Sequence, residues 1–252
     1  ALEAQRERRA LAAAPRIWFL TEGDRAAAVR GAGVPAERSA VLPHGLDLDE
    51  GLAARREGDP PEVADRVVFF GSFTADFNRD ALEHTLAEIW PRVRRLRPEA
   101  SLLVAGGGLP RELERRARAA GALVQGEVAD VRALLLTASV VLVPLRYGGG
   151  LRIRLLESLA LERAVVGTPV GVLGMGPRAD REVLVGEDPP ALAAAVARAL
   201  AEPELRRELG AAGRRWVAAH HAAPEAARAQ KALVLEAMEL QRPVTGRPDP
   251  LD

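Results

Sequence analysis

From residue 67 onward the sequence alternates short, continuous apolar runs with amphipathic stretches. The runs are Val67–Phe70, Ser101–Ala105, Ala122–Gln125, Val140–Leu145 and Ala164–Gly167, with a weaker one at Glu182–Val185. They are rich in Val and Leu and lack polar alternation, the pattern of parallel strands covered on both faces. Helical patterns separate them at Arg79–Arg97, Arg111–Ala120, Val131–Ala138 and Leu151–Leu161. This order predicts an α/β fold with a doubly wound, Rossmann-like parallel sheet. Three further helices, near Ala191–Ala201, Glu204–His220 and Pro224–Leu240, close the chain.

The flanks read differently. Ala1–Ala14 has a charged helical pattern, Arg16–Leu20 is a short apolar strand, and Thr21-Glu22-Gly23-Asp24 can cap a helix running to about Arg30. Residues 1–40 are too few for a core of their own. The chain begins inside a helical pattern at Ala1, so we expect that residue 1 is not the natural start. Residues 41–65 contain Pro43, Gly45, Gly51, Gly58, Pro60 and Pro61 among acidic residues and read as a linker. The domain is expected over 66–222 and a separate closing helix over 223–241. Residues 242–252, with Pro243, Pro248 and Pro250, read as a flexible tail.

Composition removes several function classes. The 252 residues contain no cysteine, which excludes thiolate metal sites and cysteine nucleophiles. His44, His84, His220 and His221 show no ligand spacing, so no metal site is expected. Lys+Arg 35 balances Asp+Glu 35, so no overall field draws nucleic acid or an anionic membrane. Any anion site must be local. No apolar run approaches the ~20 residues of a membrane span. A cytoplasmic setting follows as an expectation. Nearly all the basic charge is arginine, Lys231 being the single lysine, so only the placement of an arginine argues for function.

In an open parallel sheet, ligands bind beyond the carboxyl ends of the strands. Three loops there carry glycine: Gly71-Ser72, Gly106-Gly107-Gly108 and Gly148-Gly149-Gly150. None has the P-loop pattern, and no G-x-G-x-x-G opens the first βα unit. The strongest constellation is Pro144-Leu145-Arg146-Tyr147-Gly148-Gly149-Gly150-Leu151-Arg152-Ile153-Arg154-Leu155-Leu156-Glu157. A helix expected from near Leu151 would present backbone N–H groups suited to phosphate. Arg154 and Glu157, three apart, share one face: a guanidinium for phosphate oxygens beside a carboxylate for sugar hydroxyls. Phosphate together with ribose implies a nucleotide. A surface i,i+3 ion pair beside a tight turn is the plainer reading, and the preceding strand and triple glycine weigh against it.

The stretch GGGLRIRLLESLALERAVVGTPVG resembles the donor-binding segment of group 1 (family 4) GT-B glycosyltransferases, one bacterial branch of which commonly reads G-G-G-x-R-x-K-x-x-E and then V-V-x-T. The similarity extends over residues 41–240: VLPHGLDLD resembles the interdomain segment V-x-P-N-G-x-D, and VVFFGSFTADFNRDALEHTLAEIWPRVRRLRPEASLLVAGGG the first strand, helix and second strand. QGEVADVRALLLTASVVLVPLRYGGG resembles the third and fourth strand units, and the last helices resemble C-terminal helices that usually cross back to the N-terminal domain. The resemblance implies that Glu157 binds the nucleotide ribose and that Arg154 replaces a phosphate-binding lysine. It places Gly149, Gly150 and Leu151 against the diphosphate and donor sugar, Val128 beside the nucleobase, and Gly71 and Ser72 near the phosphates.

The departures are specific. The first Glu of the family's Glu-x7-Glu motif is Gly149 here, and the first-loop G-R-x5-K-G is missing. Arg79 is the nearby cation, read equally as a donor-site charge or a solvated helix charge. WFLTEGDRAAAVRGAGVP resembles only the last strand and helix of an N-terminal acceptor domain. The resemblance therefore implies the C-terminal, donor-binding half of a retaining enzyme that transfers a hexose from a nucleoside diphosphate sugar. Arg154 would stabilise the leaving diphosphate, and no cofactor beyond the donor substrate is implied. The alternative is a nucleotide-sugar-binding or assembly subunit without catalysis. Peripheral contact at the inner membrane face and homodimerisation through residues 1–40 complete the expectations. His220-His221 reads as a capping or solvated pair and His44 as a candidate donor or interdomain contact. Trp90 and Trp216 read as core, and Trp18 as exposed or covered by a partner chain.

Overall fold

The computed structural model describes residues 6, 9–11, 13–48 and 57–240. The expected tail at 242–252, most of the expected helix at 1–14 and the centre of the 41–65 linker lie outside the described residues. Two compact units are present: one takes the chain up to Gly45 together with the part from Ala223 on, the other runs Leu46–Ala222.

The larger unit holds a six-stranded, wholly parallel sheet. Its strands are β3 (Arg66–Phe70), β4 (Ser101–Ala105), β5 (Leu123–Gln125), β6 (Val140–Val143), β7 (Ala164–Gly167) and β8 (Leu184–Val185). Their spatial order is β5-β4-β3-β6-β7-β8, so the winding reverses between β3 and β6. Val67 pairs with Val140 across that reversal, and Phe70 pairs with Ala105 on the other side. The central strands are covered on both faces: Val67, Val68, Phe69, Val140 and Val141 are all fully buried. Continuous apolar runs are the sequence form of that burial.

Helices α2 (Asp76–His84), α4 (Arg111–Ala119), α5 (Val131–Leu136) and α6 (Ile153–Ala160) follow β3, β4, β5 and β6. Between α2 and α3 (Trp90–Leu96) the helix widens into a π turn at Thr85–Ile89, just before Pro91. The Trp90 N–H reaches the Thr85 carbonyl there, and the Thr85 hydroxyl donates to Ala81 O at 2.7 Å. A short α7 (Pro169–Val172) follows β7, and α8 (Pro189–Ala201) and α9 (Pro203–His221) close the domain. Leu155, Leu156 and Leu159 turn the buried face of α6 onto the sheet. Trp90 and Trp216 are buried, and Trp216 stacks on His220 with ring centroids 5.1 Å apart. His220 Nδ1 also bonds to Trp216 O at 2.8 Å, so this histidine closes the end of α9.

Several boundaries differ from the sequence reading. Strand β6 stops at Val143 because Pro144 has no N–H to continue the ladder. Helix α6 starts at Ile153 rather than Leu151, with Arg152 outside helical geometry at φ −93° and ψ 75°. The last part of the linker is docked, not free: Val63 N donates to Thr137 O at 3.0 Å. Glu62 accepts from Ser139, Arg163 and Arg206, and Asp59 is paired with Arg132. The domain's two chain ends also meet, Leu46 forming a parallel bridge with Ala222 and its N–H donating to His221 O at 2.7 Å.

The smaller unit pairs β1 (Ile17–Phe19) with β2 (Ser39–Val41) in parallel, joined by α1 (Glu22–Gly31). Thr21 caps α1 by accepting from Asp24 N at 3.1 Å. Strand β2 has three residues and no apolar run to announce it; the Arg25 Nε–H donates to Ser39 Oγ at 3.1 Å. Helix α10 (Ala223–Leu240) belongs to this unit, with Glu236 paired to Arg16 and Gln230 donating to Pro43 O at 2.7 Å. No helix among the described residues is long and apolar enough to cross a membrane.

Candidate functional site

The winding reverses between β3 and β6, and ligands of open parallel sheets bind beyond the carboxyl ends of the strands at such a reversal. Arg154 and Asn78 meet there. From the first turn of α6, Arg154 reaches across to the β3 side. Its Nη1 donates to Phe70 O at 2.9 Å and its Nη2 to Asn78 Oδ1. Asn78, 2% exposed, donates in turn to Ser72 O at 2.6 Å. One buried amide thus ties the loop after β3 to the cation from α6.

Arg154 makes no ion pair within 4 Å among the described residues, and its two assigned acceptors are neutral. A guanidinium has five N–H donors, so donors remain for a ligand. Burial, then the neighbouring Arg152 charge, push its pKa down to about 10, with Glu157 opposing. Glu157 stands one turn along the same helix, half-buried. Its carboxylate accepts no hydrogen bond among the described residues, and burial lifts its pKa above the ordinary range despite Arg154. A half-buried carboxylate with no donor is costly unless something else supplies one.

The triple glycine was expected to face the ligand, and the structure shows what holds it. Gly148 and Gly150 have φ of +115° and +81°, a backbone that glycine adopts without strain. Arg152, nine-tenths buried, donates to Gly148 O at 2.8 Å, to Gly149 O, to Gly150 O at 3.3 Å and to Val170 O at 3.4 Å. Its own N–H lies 3.1 Å from Met175 Sδ. Sequence reasoning passed over Arg152, although the motif G-G-G-x-R contains it. Leu151 packs against the core behind the loop.

The first loop is laid against the second. Gly71 N donates to Ala105 O at 3.1 Å and Phe73 N to Gly107 O at 2.9 Å. The Gly71 amide is therefore committed to the protein. What Gly71 leaves open is space, because a Cβ there would sit 2.9 Å from the Arg154 guanidinium carbon. The Ser72 hydroxyl is hydrogen-bonded to Thr74 Oγ1 at 2.7 Å. Arg79 turns back on the same loop, donating to Phe73 O at 2.6 Å and Thr74 O at 2.9 Å and pairing with Asp76. A cavity of about 290 Å³ opens beside these loops at the ends of β3 and β4, lined by Gly71, Ser72, Gly107, Glu127, Val128 and Leu134 among others. Gly71, Ser72 and Val128 thus share one cavity wall. Arg154 and Glu157 stand on α6, beyond Gly71. No group of three or more His, Cys, Asp or Glu able to hold a metal ion is present among the described residues.

Known structures share this architecture. Sucrose-phosphate synthase from Thermosynechococcus elongatus superimposes over 95% of this chain and 62% of its own, with a TM-score of 0.81 and 21% identity. HepE from Anabaena, in complex with UDP and glucose, matches 89% of this chain and 63% of its own at a TM-score of 0.72 and 12% identity. WaaG, a glycosyltransferase involved in lipopolysaccharide biosynthesis, matches 92% and 63% at a TM-score of 0.68 and 21% identity. The chain thus spans less than two thirds of the length of these structural relatives. A comparison with curated protein sequences finds no significant match. The sequence profile described as glycosyl transferases group 1 matches residues 64–202, more than half of the chain and every strand of the parallel sheet. The chain belongs to the group 1 glycosyl transferases.

Proposed function

We propose that the six-stranded unit is the donor-binding half of a retaining glycosyltransferase of family 4. It would take a hexose from a nucleoside diphosphate sugar and pass it to an acceptor hydroxyl. The observation that carries this reading is the pair on α6, one turn apart at the winding reversal: among the described residues, a cation with neutral acceptors and no ion pair, and a half-buried carboxylate with no donor. A phosphate supplies the anion that Arg154 lacks, and a ribose supplies hydroxyl donors for Glu157. The base enters the cavity lined by Val128, Gly71 and Ser72.

In transfer, the bond between the anomeric carbon and the diphosphate breaks with its electron pair on the phosphate oxygen. A new bond forms from the acceptor oxygen on the same face of the sugar, and the hydroxyl proton leaves with the departing phosphate oxygen. Arg154 and the loop N–H groups oppose the charge that develops on the diphosphate, which makes Arg154 the catalytic residue of this chain. Arg79 acts one step away, by fixing the loop that carries Ser72. The same reading puts the protein on the cytoplasmic side, with peripheral contact at the inner membrane face.

The test is thermal-shift binding of UDP, GDP, ADP and dTDP and their sugar conjugates, with UDP first because HepE was solved with it. Ligand at about 100 times its dissociation constant adds roughly 2.7 kcal/mol, a shift that Glu157→Ala should remove. Stabilisation without sugar release to any acceptor or to water would favour a binding subunit. No stabilisation by any nucleotide at millimolar concentration overturns the donor site.

A further inference from the structure

The segment leading into β3 carries three acids, Asp59, Glu62 and Asp65, and each is already answered by an arginine from elsewhere in the domain. Asp59 pairs with Arg132, Asp65 with Arg97, and Glu62 with both Arg163 and Arg206. Arg66, the first residue of β3, is left over. Its backbone is engaged, the N–H donating to Val63 O at 3.2 Å and the carbonyl accepting from Ser139 N at 2.9 Å. Its side chain makes no ion pair and no hydrogen bond among the described residues, and its Nε is buried without an acceptor. A guanidinium is a permanent cation, and a partly buried one without an anion is a cost to the fold.

Arg66 borders a cleft of about 380 Å³ that is otherwise mostly apolar. The cleft has a cause in the topology. The crossover from β5 to β6 passes over β4 and β3, and the helix it carries, α5, has six residues. Residues two apart on a strand, or paired in register between strands, share a face. Arg66 and Val68 therefore share the face of Leu103, and Leu103 that of Leu123 on the edge strand. Leu123 is 53% exposed, so this face is not covered out to its edge. Leu103 from the sheet and Ala133 and Leu134 from α5 supply apolar walls. Asp130, the acid beside them, is exposed and caps α5, accepting from Ala133 N at 2.9 Å. Val128 and Leu134 also line the cavity given to the base, but this cleft continues to Pro60 and Thr137 rather than to the glycine loops.

We infer that this cleft is a second ligand site, for a monocarboxylate on a short apolar body, with Arg66 as its anion receptor. The guanidinium fork matches the two oxygens of a carboxylate. One cation offsets one charge, which favours a carboxylate over a doubly charged phosphate ester. The apolar walls take the rest of the molecule, as in most small-molecule sites. The site is separate from the pair on α6 and needs no nucleotide.

The measurement is calorimetric titration of the full chain with butanoate, hexanoate, octanoate and the neutral octanamide, on the wild type, Arg66→Met and Ala133→Leu. On the wild type, affinity should rise by up to about fourfold per added methylene until the cleft is full. Octanamide should bind about tenfold more weakly than octanoate, the difference between a neutral and a charge-assisted hydrogen bond. Arg66→Met should bring octanoate down to the level of octanamide, and Ala133→Leu, which fills the cleft from α5, should weaken both. Arg66→Met also removes a charge that has no partner in the free protein, so its denaturation midpoint should equal or exceed that of the wild type. Octanoate no tighter than octanamide, or unaffected by Arg66→Met, would overturn the inference, as would no binding at millimolar concentration. Displacement of octanoate by a nucleotide from the thermal-shift panel would put the carboxylate in the base cavity and overturn it too. A less stable Arg66→Met would show that the arginine already has a partner in the protein, with the same consequence.

Discussion

The Arg154 guanidinium lies directly over the backbone of Gly71, so that a Cβ at position 71 would stand 2.9 Å from its central carbon. Cation and glycine come from different βα units, on the two strands where the winding reverses, and each makes room for the other. The glycine at the end of β3 is thus explained by the side chain above it and by a φ of +154°.

Gly71→Ala should therefore do two things. It strains the backbone, at a cost of about 1–3 kcal/mol, and it pushes the arginine out of its seat. Chemical denaturation measures the first. The second appears as a loss of affinity for nucleoside diphosphate larger than that for the nucleoside. Equal losses would mean that Arg154 finds another route to the same place.

Asn78 holds both Ser72 O and Arg154 from a buried position. Asn78→Leu keeps the volume and leaves a carbonyl and a guanidinium donor without partners, which should destabilise by roughly 1–3 kcal/mol for each group left buried. Asn78→Asp supplies the acceptor oxygen and adds the ion pair that Arg154 lacks. It should retain more stability than Leu yet bind diphosphate less well than wild type, because the arginine charge is then spent inside the protein. Unfolding midpoints and nucleotide titrations of the two variants check this.

Glu157 is a carboxylate whose pKa burial raises. The folded form then binds the proton more tightly than the unfolded chain. Stability falls as pH rises from the ordinary carboxylate value through the raised one, and the full penalty persists above it. Glu157→Gln removes that penalty. The variant should equal or exceed the wild type in stability at neutral pH, and the difference should shrink as pH drops toward 4.5, the ordinary value for this side chain. Unfolding midpoints between acid and neutral pH measure it, and the same variant should lose nucleotide-dependent stabilisation. A less stable Gln variant at neutral pH would mean that the carboxylate has a protein partner.

Among the described residues, Glu127 is the charged side chain on the wall of the cavity given to the base. Among the common bases guanine offers N–H donors on two neighbouring ring-edge atoms to a carboxylate. Glu127→Gln should therefore weaken GDP more than UDP, by about tenfold if a charge-assisted bond is replaced by a neutral one. Titration of both nucleotides on both proteins decides, and an unchanged ratio would place Glu127 in solvent.

Trp18 on β1 is 39% exposed, whereas Trp90 and Trp216 are buried. In a monomer, iodide should quench only the Trp18 fluorescence. If residues 1–40 form a homodimer, as expected from their apolar surface, that quenching should fall as concentration rises, in step with the sedimentation coefficient. Quenching independent of concentration would sink the dimer.

The sheet was legible because strands covered on both faces have nowhere to put a polar side chain. Its strand order was not, because right-handed crossovers fix the hand of each connection and not the place where the winding reverses. Strand β2 was not legible, since three residues carry no period and Ser39 earns its place through Arg25. Arg154 and Glu157 stood out by their spacing on a helix and by the motif they resemble. Arg152 did not, because two arginines in one tripeptide look alike until the helix start is known, and that start fell two residues later than the glycines suggest. Asn78 gave no signal at all: its role exists only once β3 and β6 lie side by side.

The bridge between Leu46 and Ala222 makes the larger unit, in connectivity, an insertion. The polypeptide enters and leaves it at one seam, so the long loop closure that its folding requires is completed by its own hydrogen bonds rather than by the rest of the chain. A short peptide joining those two points would turn the domain into a ring, and cutting that ring at a surface loop would give a permuted chain with the same sheet order.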